Sequence, residues 1–221
     1  PAYTLRKTTS PALAPEDLPP LTAVLLSHDH HFDNLDHRGR AMLPLAPAVY
    51  TTRAGAERLG GNAIGLEPWQ TVAYPTSDGE ILDLTATPGR HGPPGGDRGP
   101  VLGYVLAPPA GRGPTVYFSG DTVWYEDVAA IGTRFPVQIA CLNMGAAMVA
   151  VAGPDPLTFT AEGAVALARA WPGVRIVPLH FEGWEHFSEG RAAIEAAFDA
   201  AGLTDRLLWC EPGRPRHIQL T

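Results

Sequence analysis

The chain has 221 residues, 45% of them hydrophobic and 18% charged, a balance that buries a core and excludes a disordered chain. Sixteen Lys and Arg stand against 23 Asp and Glu, for a formal charge of −7; no basic cluster is long enough to track a phosphate backbone, which argues against nucleic acid as a partner. No apolar run approaches the ~20 residues that cross a bilayer, the opening Pro1-Ala2-Tyr3-Thr4-Leu5-Arg6 has no signal pattern, and no linker divides the chain. Residues 1–221 are therefore read as a single domain, with no membrane partner. Cys141 and Cys210 lie far apart in apolar contexts, which predicts two buried thiols and a reducing, cytoplasmic setting.

In chain order, Leu21–Leu26 is a continuous apolar run of strand length. Short helices are expected at Asn34–Met42 and Arg53–Leu59. Tyr-, Val- and Thr-rich segments at Thr71–Tyr74, Ile81–Thr87, Val101–Leu106 and Thr115–Phe118 predict strands. Val137–Leu142 and Val174–Leu179 resemble strands covered on both faces. Two further helices are expected at Ala161–Ala170, after Thr160 as N-cap, and at Glu189–Ala200, after Ser188. A last strand is expected at His217–Leu220. Pro and Gly, 23 and 24 in number, cluster between these pieces, and Gly89–Pro100 is an irregular loop. Interleaved strands and helices predict a layered α/β sandwich.

The polar residues are concentrated where strands end. Leu21–Leu26 runs into Ser27-His28-Asp29-His30-His31-Phe32-Asp33-Asn34, Ile81–Thr87 into Pro88-Gly89-Arg90-His91, Thr115–Phe118 into Ser119-Gly120-Asp121-Thr122, and Val174–Leu179 into His180. Strand ends at one edge of a layered α/β fold form its ligand crevice. A hydrolytic divalent metal needs neutral imidazoles and carboxylates with one position left open, and these four exits supply that set. A lone His-x-His or Gly-Asp-Thr has little force, and His91 or His180 taken alone reads as a surface or core histidine. The joint arrangement predicts metal binding. His28, His30 and His91 form a three-imidazole set, Asp33 and His180 serve a second ion, and Asp121 bridges the two.

These motifs, from Ser27-His28-Asp29-His30 through Asp33, Thr87-Pro88-Gly89-Arg90-His91-Gly92-Pro93, Ser119-Gly120-Asp121-Thr122 and Pro178-Leu179-His180, resemble those of the metallo-β-lactamase superfamily. The closer likeness is to its ascorbate-6-phosphate-lactonase-like hydrolases. The resemblance implies a four-layer αβ/βα sandwich with one or two zinc or manganese ions between two sheets. It also implies hydrolysis of a small lactone, ester or phosphoester by metal-bound hydroxide. Two departures stand out. The family pattern His-x-His-x-Asp-His here has an extra residue before the aspartate, and Asn34 replaces the last histidine. One register keeps His28 and His30 as ligands, which is the preferred one; the other uses Asp29, His31 and Asp33. Asn34 weakens the second site or leaves its repair to His31. In addition, only 27 residues precede the first motif, so the N-terminal strands expected of the fold are read as lacking, and a homo-oligomer that covers the resulting sheet edge is possible.

Asp33 is the expected catalytic base. His186, in Phe181-Glu182-Gly183-Trp184-Glu185-His186-Phe187, reads either as a catalytic acid or anion-binding imidazole, or as part of a loop packing its aromatics on the core. Trp124 and Tyr125 are candidate pocket walls, whereas His37 and His217 read as surface residues. The rival functions are a phosphodiesterase or nuclease of the same fold and a non-catalytic metal-binding protein with a degraded second site.

Overall fold

The structure is a computed structural model that describes residues 4–76, 79–95, 98–109 and 112–219. Its elements are β1 (Val24–Leu25), α1 (His37–Met42), β2 (Val49–Thr52), α2 (Arg53–Leu59), β3 (Ala63–Leu66), β4 (Thr71–Pro75), β5 (Ile81–Pro88), β6 (Leu102–Ala107), β7 (Thr115–Phe118), α3 (Glu126–Arg134), β8 (Val137–Asn143), α4 (Ala161–Ala170), β9 (Arg175–Leu179) and α5 (Arg191–Ala200). β1, β2 and β3 make a three-stranded parallel sheet. β4 to β9 make a six-stranded sheet in chain order, antiparallel through β7 and parallel from β7 to β9.

Side-chain alternation sorts these elements into layers, because neighbouring residues of a strand point to opposite faces. Tyr50 and Leu66 of the small sheet pack with Leu84, Ala86, Leu102 and Tyr104 of the large one. Val49, next to Tyr50, instead joins Leu26, Leu35, Leu43 and Leu59 on the outer side. Val105, next to Tyr104, faces Val128 and Ile131 of α3, Val165 and Leu167 of α4, and Ile194 and Phe198 of α5. The order is therefore helices, sheet, sheet, helices, the predicted αβ/βα sandwich. The Tyr104 hydroxyl lies 2.9 Å from both Leu26 O and Tyr50 O, so one buried phenol ties the sheets together beneath the strand exits.

Several boundaries differ from expectation. The run Leu21–Leu26 pairs over only two strand residues, although Leu26 N still donates to Tyr50 O at 2.9 Å. Helix α1 starts at His37 because the Asp36 carboxylate accepts from Gly39 N. Thr52 and Thr160 cap α2 and α4 through the same contact, to Gly55 N and Gly163 N. Ser188 is not the cap of α5; Gly190 is, and the Ser188 hydroxyl donates to Ala146 O. Strands β2 and β3 and helix α3 were not expected from the sequence. Residues 217–219 form no strand, and Leu220 lies outside the described residues. Beyond β9 it is Leu208 that meets the edge, its N–H donating to Ile176 O. Cys141 is half-buried but Cys210 is exposed, which corrects the expectation of two buried thiols; both are free.

Gly103 marks how closely β6 fits its neighbours. A methyl group there would lie 2.6 Å from Thr87 Oγ1, 2.8 Å from Phe118 O and 2.9 Å from Ser119 O. Two of those three atoms are backbone and cannot swing aside. Overpacking of this kind costs about 1–3 kcal/mol, so Gly103→Ala should lower the urea midpoint with an unchanged slope. An unaltered midpoint would show that the strands accommodate the methyl freely.

Candidate metal centre

The four exits converge. β7, β8 and β9 are parallel, and two antiparallel steps give β5 the same direction, so His91, Asp121, Asn143 and His180 all lie at one edge of the large sheet. The small sheet is fastened to that edge by Leu102 N, which donates to Ser27 O at 3.0 Å. Gly120 makes the junction possible. It has φ 58°, and a methyl there would stand 2.5 Å from Leu102 O and 2.6 Å from Ser27 Cβ. Only glycine meets both the left-handed backbone and the contact.

Three imidazoles meet at this junction. His28 Nε2 lies 3.1 Å from His31 Nδ1, and His91 Nε2 lies 3.2 Å from the same atom. Asp121 Oδ2 is 3.9 Å from His28 Nε2 and 3.6 Å from His91 Nε2. Ligand atoms ~2.0–2.1 Å from a tetrahedral zinc ion stand about 3.3 Å apart; His28, His91 and Asp121 form one group of candidate ligands and His28, His30 and His31 another. His28, His91 and Asp121 are buried together. Asp121 Oδ2 has no hydrogen-bond partner, an arrangement that is costly for a buried carboxylate unless a cation faces it.

The surrounding contacts orient these groups. His91 Nδ1 donates to Leu157 O at 2.7 Å, which leaves Nε2 as the lone-pair nitrogen. Ser27 Oγ is 2.9 Å from His28 Nδ1. Asn143 Nδ2 donates to Asp121 Oδ1 at 2.8 Å. Asp29 is not among the converging donors: its buried carboxylate takes a fork from Arg58 of α2, Nε at 2.8 Å and Nη2 at 2.5 Å. Asn143 and the Asp29–Arg58 pair escaped the sequence reading, since their partners lie 22 and 29 residues away.

His30 and His31 both stand near His28 but differ in exposure and partners. His30 is exposed, and its Nε2 lies 2.7 Å from Arg98 O, holding the loop after β5. One nitrogen of His30 comes within 4.8 Å of those of His28 and His31, but it is His31 that meets His91. His31 is half-buried between His28 and His91, and His30 is exposed beside Arg98 O.

Burial, assisted by the neighbouring imidazoles and opposed by Asp121, lowers the His28 pKa to about 3; burial with His91 and His30 lowers His31 to about 4. Burial alone would raise the Asp121 carboxyl, but the His180, His91 and His28 rings and Asn143 outweigh it and hold it far below the usual carboxylate range. Neutral imidazoles beside an ionised carboxylate are the protonation states that metal binding requires.

A second group lies alongside. His180 follows β9 directly with φ 52°, a left-handed conformation rare outside glycine. Its Nε2 is 3.8 Å from Asp121 Oδ1 and 4.0 Å from Asp33 Oδ2, and has no hydrogen-bond partner. Asp33 Oδ2 is 3.1 Å from His186 Nε2. Burial would raise the Asp33 carboxyl, but the His186 hydrogen bond and the His180 ring bring it below its ordinary value. Asp121 therefore presents one oxygen to each group. Asn34 is turned away from both, its Nδ2 donating to His28 O at 2.5 Å.

Of the remaining candidates, Trp124 packs on the core beside Trp171, and Tyr125 lies under the Arg90 guanidinium, 4.2 Å from the ring centre. Trp184 lies 6.0 Å from the His186 ring and beneath Lys7 Nζ. His37 and His217 are exposed.

The comparisons agree with this architecture. A UPF0173 metal-dependent hydrolase of Pyrobaculum aerophilum is 30% identical over 171 residues, 72% of this chain and 65% of that protein. The chain thus spans just under two thirds of that relative's length. Among solved structures, an isothiocyanate hydrolase from Delia radicum gut bacteria superposes with a TM-score of 0.80 at 24% identity, over 96% of this chain and 84% of its own. A possible metal-dependent hydrolase from Veillonella parvula does so at 0.74 and 20%, over 87% and 74%; at such identities the likeness shows the fold. The family model for the beta-lactamase superfamily domain matches residues 2–181, a segment that contains all four strand exits, and the chain belongs to that family.

Proposed function

We propose that this protein is a metal-dependent hydrolase of a small lactone, ester or phosphoester. The observation that carries the reading is the buried group His28, His91 and Asp121, with an unpartnered Asp121 Oδ2 and with His31 Nδ1 3.1 and 3.2 Å from the two imidazole nitrogens. Zinc or manganese held there would supply Lewis acidity and lower the pKa of a bound water from about 15.7 to about 7. Asp121 reaches toward both groups and would offset the charge of ions held there. Asp33, ionised and held by His186, accepts the proton released as water adds to the carbonyl carbon or phosphorus. Arg90 N donates to the Thr122 hydroxyl at 2.9 Å, which keeps the His91 and Asp121 exits in register.

The substrate is proposed to be a single small polar molecule, because a chain charge of −7 repels an extended polyanion. The loops at 89–95 and 181–187 stand as walls beside the site, and neither nucleic acid nor membrane is a proposed partner. The test is one panel of lactones, small phosphoesters, isothiocyanates, single-stranded nucleic acids and oligopeptides, assayed with the same metal-loaded protein. The isothiocyanate is included because a hydrolase named for that substrate shares the fold. A small ester or lactone should lead. A polymer preferred by tenfold or more in kcat/KM, about 1.4 kcal/mol of transition-state discrimination, would overturn the reading. Metal bound without turnover of anything would favour a non-catalytic protein.

A further inference from the structure

We infer that Arg58 is a positioning residue of the metal centre: its fork on the buried Asp29 carboxylate fixes the segment that carries His28, His30 and His31. This rests on the metal-dependent reading above and extends it to a side chain of α2 that belongs to neither group of candidate ligands.

The histidine segment is not held by regular structure. From Leu26 to Asp36 the chain runs through bends and turns, with no strand or helix, so no backbone ladder sets the direction of its side chains. Other residues hold it one carbonyl at a time. Ser27 O accepts from Leu102 N at 3.0 Å, His28 O from the Asn34 amide at 2.5 Å, and Asp29 O from Arg40 Nη2 of α1 at 3.0 Å. These contacts fix the path of the backbone and leave the side chain between His28 and His30 to be anchored separately.

Arg58 supplies that anchor. Its Nε and Nη2 stand 2.8 and 2.5 Å from the two Asp29 oxygens, a planar two-point match that lysine cannot make. The Asp29 side chain is 3% exposed and that of Arg58 48%, so the guanidinium reaches in from the surface of α2 and closes on a buried partner. A glycine lets the helix come this near: a methyl group at Gly55 would lie 3.2 Å from Asp29 Oδ1, and 2.9 and 3.0 Å from the hydroxyls of Thr52 and Thr51. On one side of Asp29 is the fully buried His28; on the other is His30, whose Nδ1 is 3.9 Å from Asp29 Oδ1. A shift of this carboxylate therefore passes to the imidazoles that flank it. A buried ion pair is a weak source of net stability, so its main consequence here is orientation, the role that partners behind metal-binding histidines play.

The experiment is cobalt(II) binding to the full chain, with affinity from competition with a chromophoric chelator and coordination from the visible absorption of the bound ion, alongside urea unfolding. Arg58→Met should lower cobalt affinity by about 10–100-fold, the range for removal of an outer partner, and shift the visible band. Asp29→Asn should do the same, and the double variant should lose no more than either alone, because both break one contact. Arg58→Lys keeps the charge without the fork, and carries the test if Arg58→Met does not fold; its affinity should fall by about tenfold or more. Ile194→Val, at a fully buried position of α5, should lower the urea midpoint with affinity and band unchanged, which separates positioning from general loosening. Arg58 variants with unaltered affinity and band would overturn the inference and leave the metal-dependent reading intact. So would an equal loss in Ile194→Val, or a loss confined to Asp29→Asn, which would make Asp29 itself a ligand. No cobalt bound by the unaltered protein would overturn both.

Discussion

Replacing His31 with alanine is expected to strip the first ion as thoroughly as replacing His28, whereas His30→Ala should leave most of it bound. His31 Nδ1 sits between His28 Nε2 and His91 Nε2 at 3.1 and 3.2 Å, and its burial keeps it neutral well below pH 6, with a pKa of about 4. It therefore offers a lone pair without competition from protons at the pH of an assay. His30 is exposed and uses Nε2 on Arg98 O, so its loss slackens the loop after β5. Removing an outer partner typically costs 10–100-fold in metal affinity. The His31 and His28 variants should exceed that range, and the His30 variant should fall within or below it. Competition with a chromophoric chelator gives all three constants in one experiment. A larger loss for His30 than for His31 would restore the His28–His30 register and refute the structural assignment.

Asp121→Asn should leave the fold largely intact and remove most hydrolysis. The side chain is 1% exposed, and the amide matches it in size, so packing is preserved. What changes is charge: the carboxylate, kept ionised by three imidazoles and Asn143, becomes neutral. One oxygen also becomes an N–H donor. Placed at Oδ1, that donor meets the Asn143 amide, itself a donor at 2.8 Å; placed at Oδ2, it points at the nitrogens of His28 and His91. The second orientation keeps the Asn143 hydrogen bond, but neither leaves an anion among the histidines. The expected result is unchanged far-ultraviolet circular dichroism with a fall in kcat/KM beyond the ~100-fold upper range for an outer partner. Unchanged turnover in folded protein would remove Asp121 from the chemistry.

The ordered exits were legible because each ends a run whose composition has a single physical meaning. A strand such as Thr115–Phe118 carries no charge, so the abrupt appearance of Asp121 marks the point where the chain leaves the sheet. The Thr52 and Thr160 caps were legible for a similar local reason: a hydroxyl in front of a helical pattern satisfies a backbone N–H three residues on. β2 and β3 were not, being four residues each, one of them carrying Gly65. β2, Val-Tyr-Thr-Thr, has strand-favouring residues but is too short to stand out, whereas β3 draws its conformation from pairing with β2. Helix α3 has acidic residues in its first turn but Tyr125 as a cap without a side-chain hydrogen bond, so its strongest start signal is missing.

The sequence by itself determined the layered class, the family and the residue types that converge at one sheet edge, because strand burial and ligand chemistry both leave local traces. Only the tertiary structure decided which histidine turns inward. His30 and His31 are adjacent and chemically identical, and what separates them is Arg98 O, 68 residues from His30, and His91, 60 residues from His31. The same holds for Asp33, whose partner His186 is 153 residues distant. Hydrogen bonds and ligand spacings of a few ångströms between such remote segments exist only once the two sheets are packed, so no reading of spacing along the chain could have assigned them.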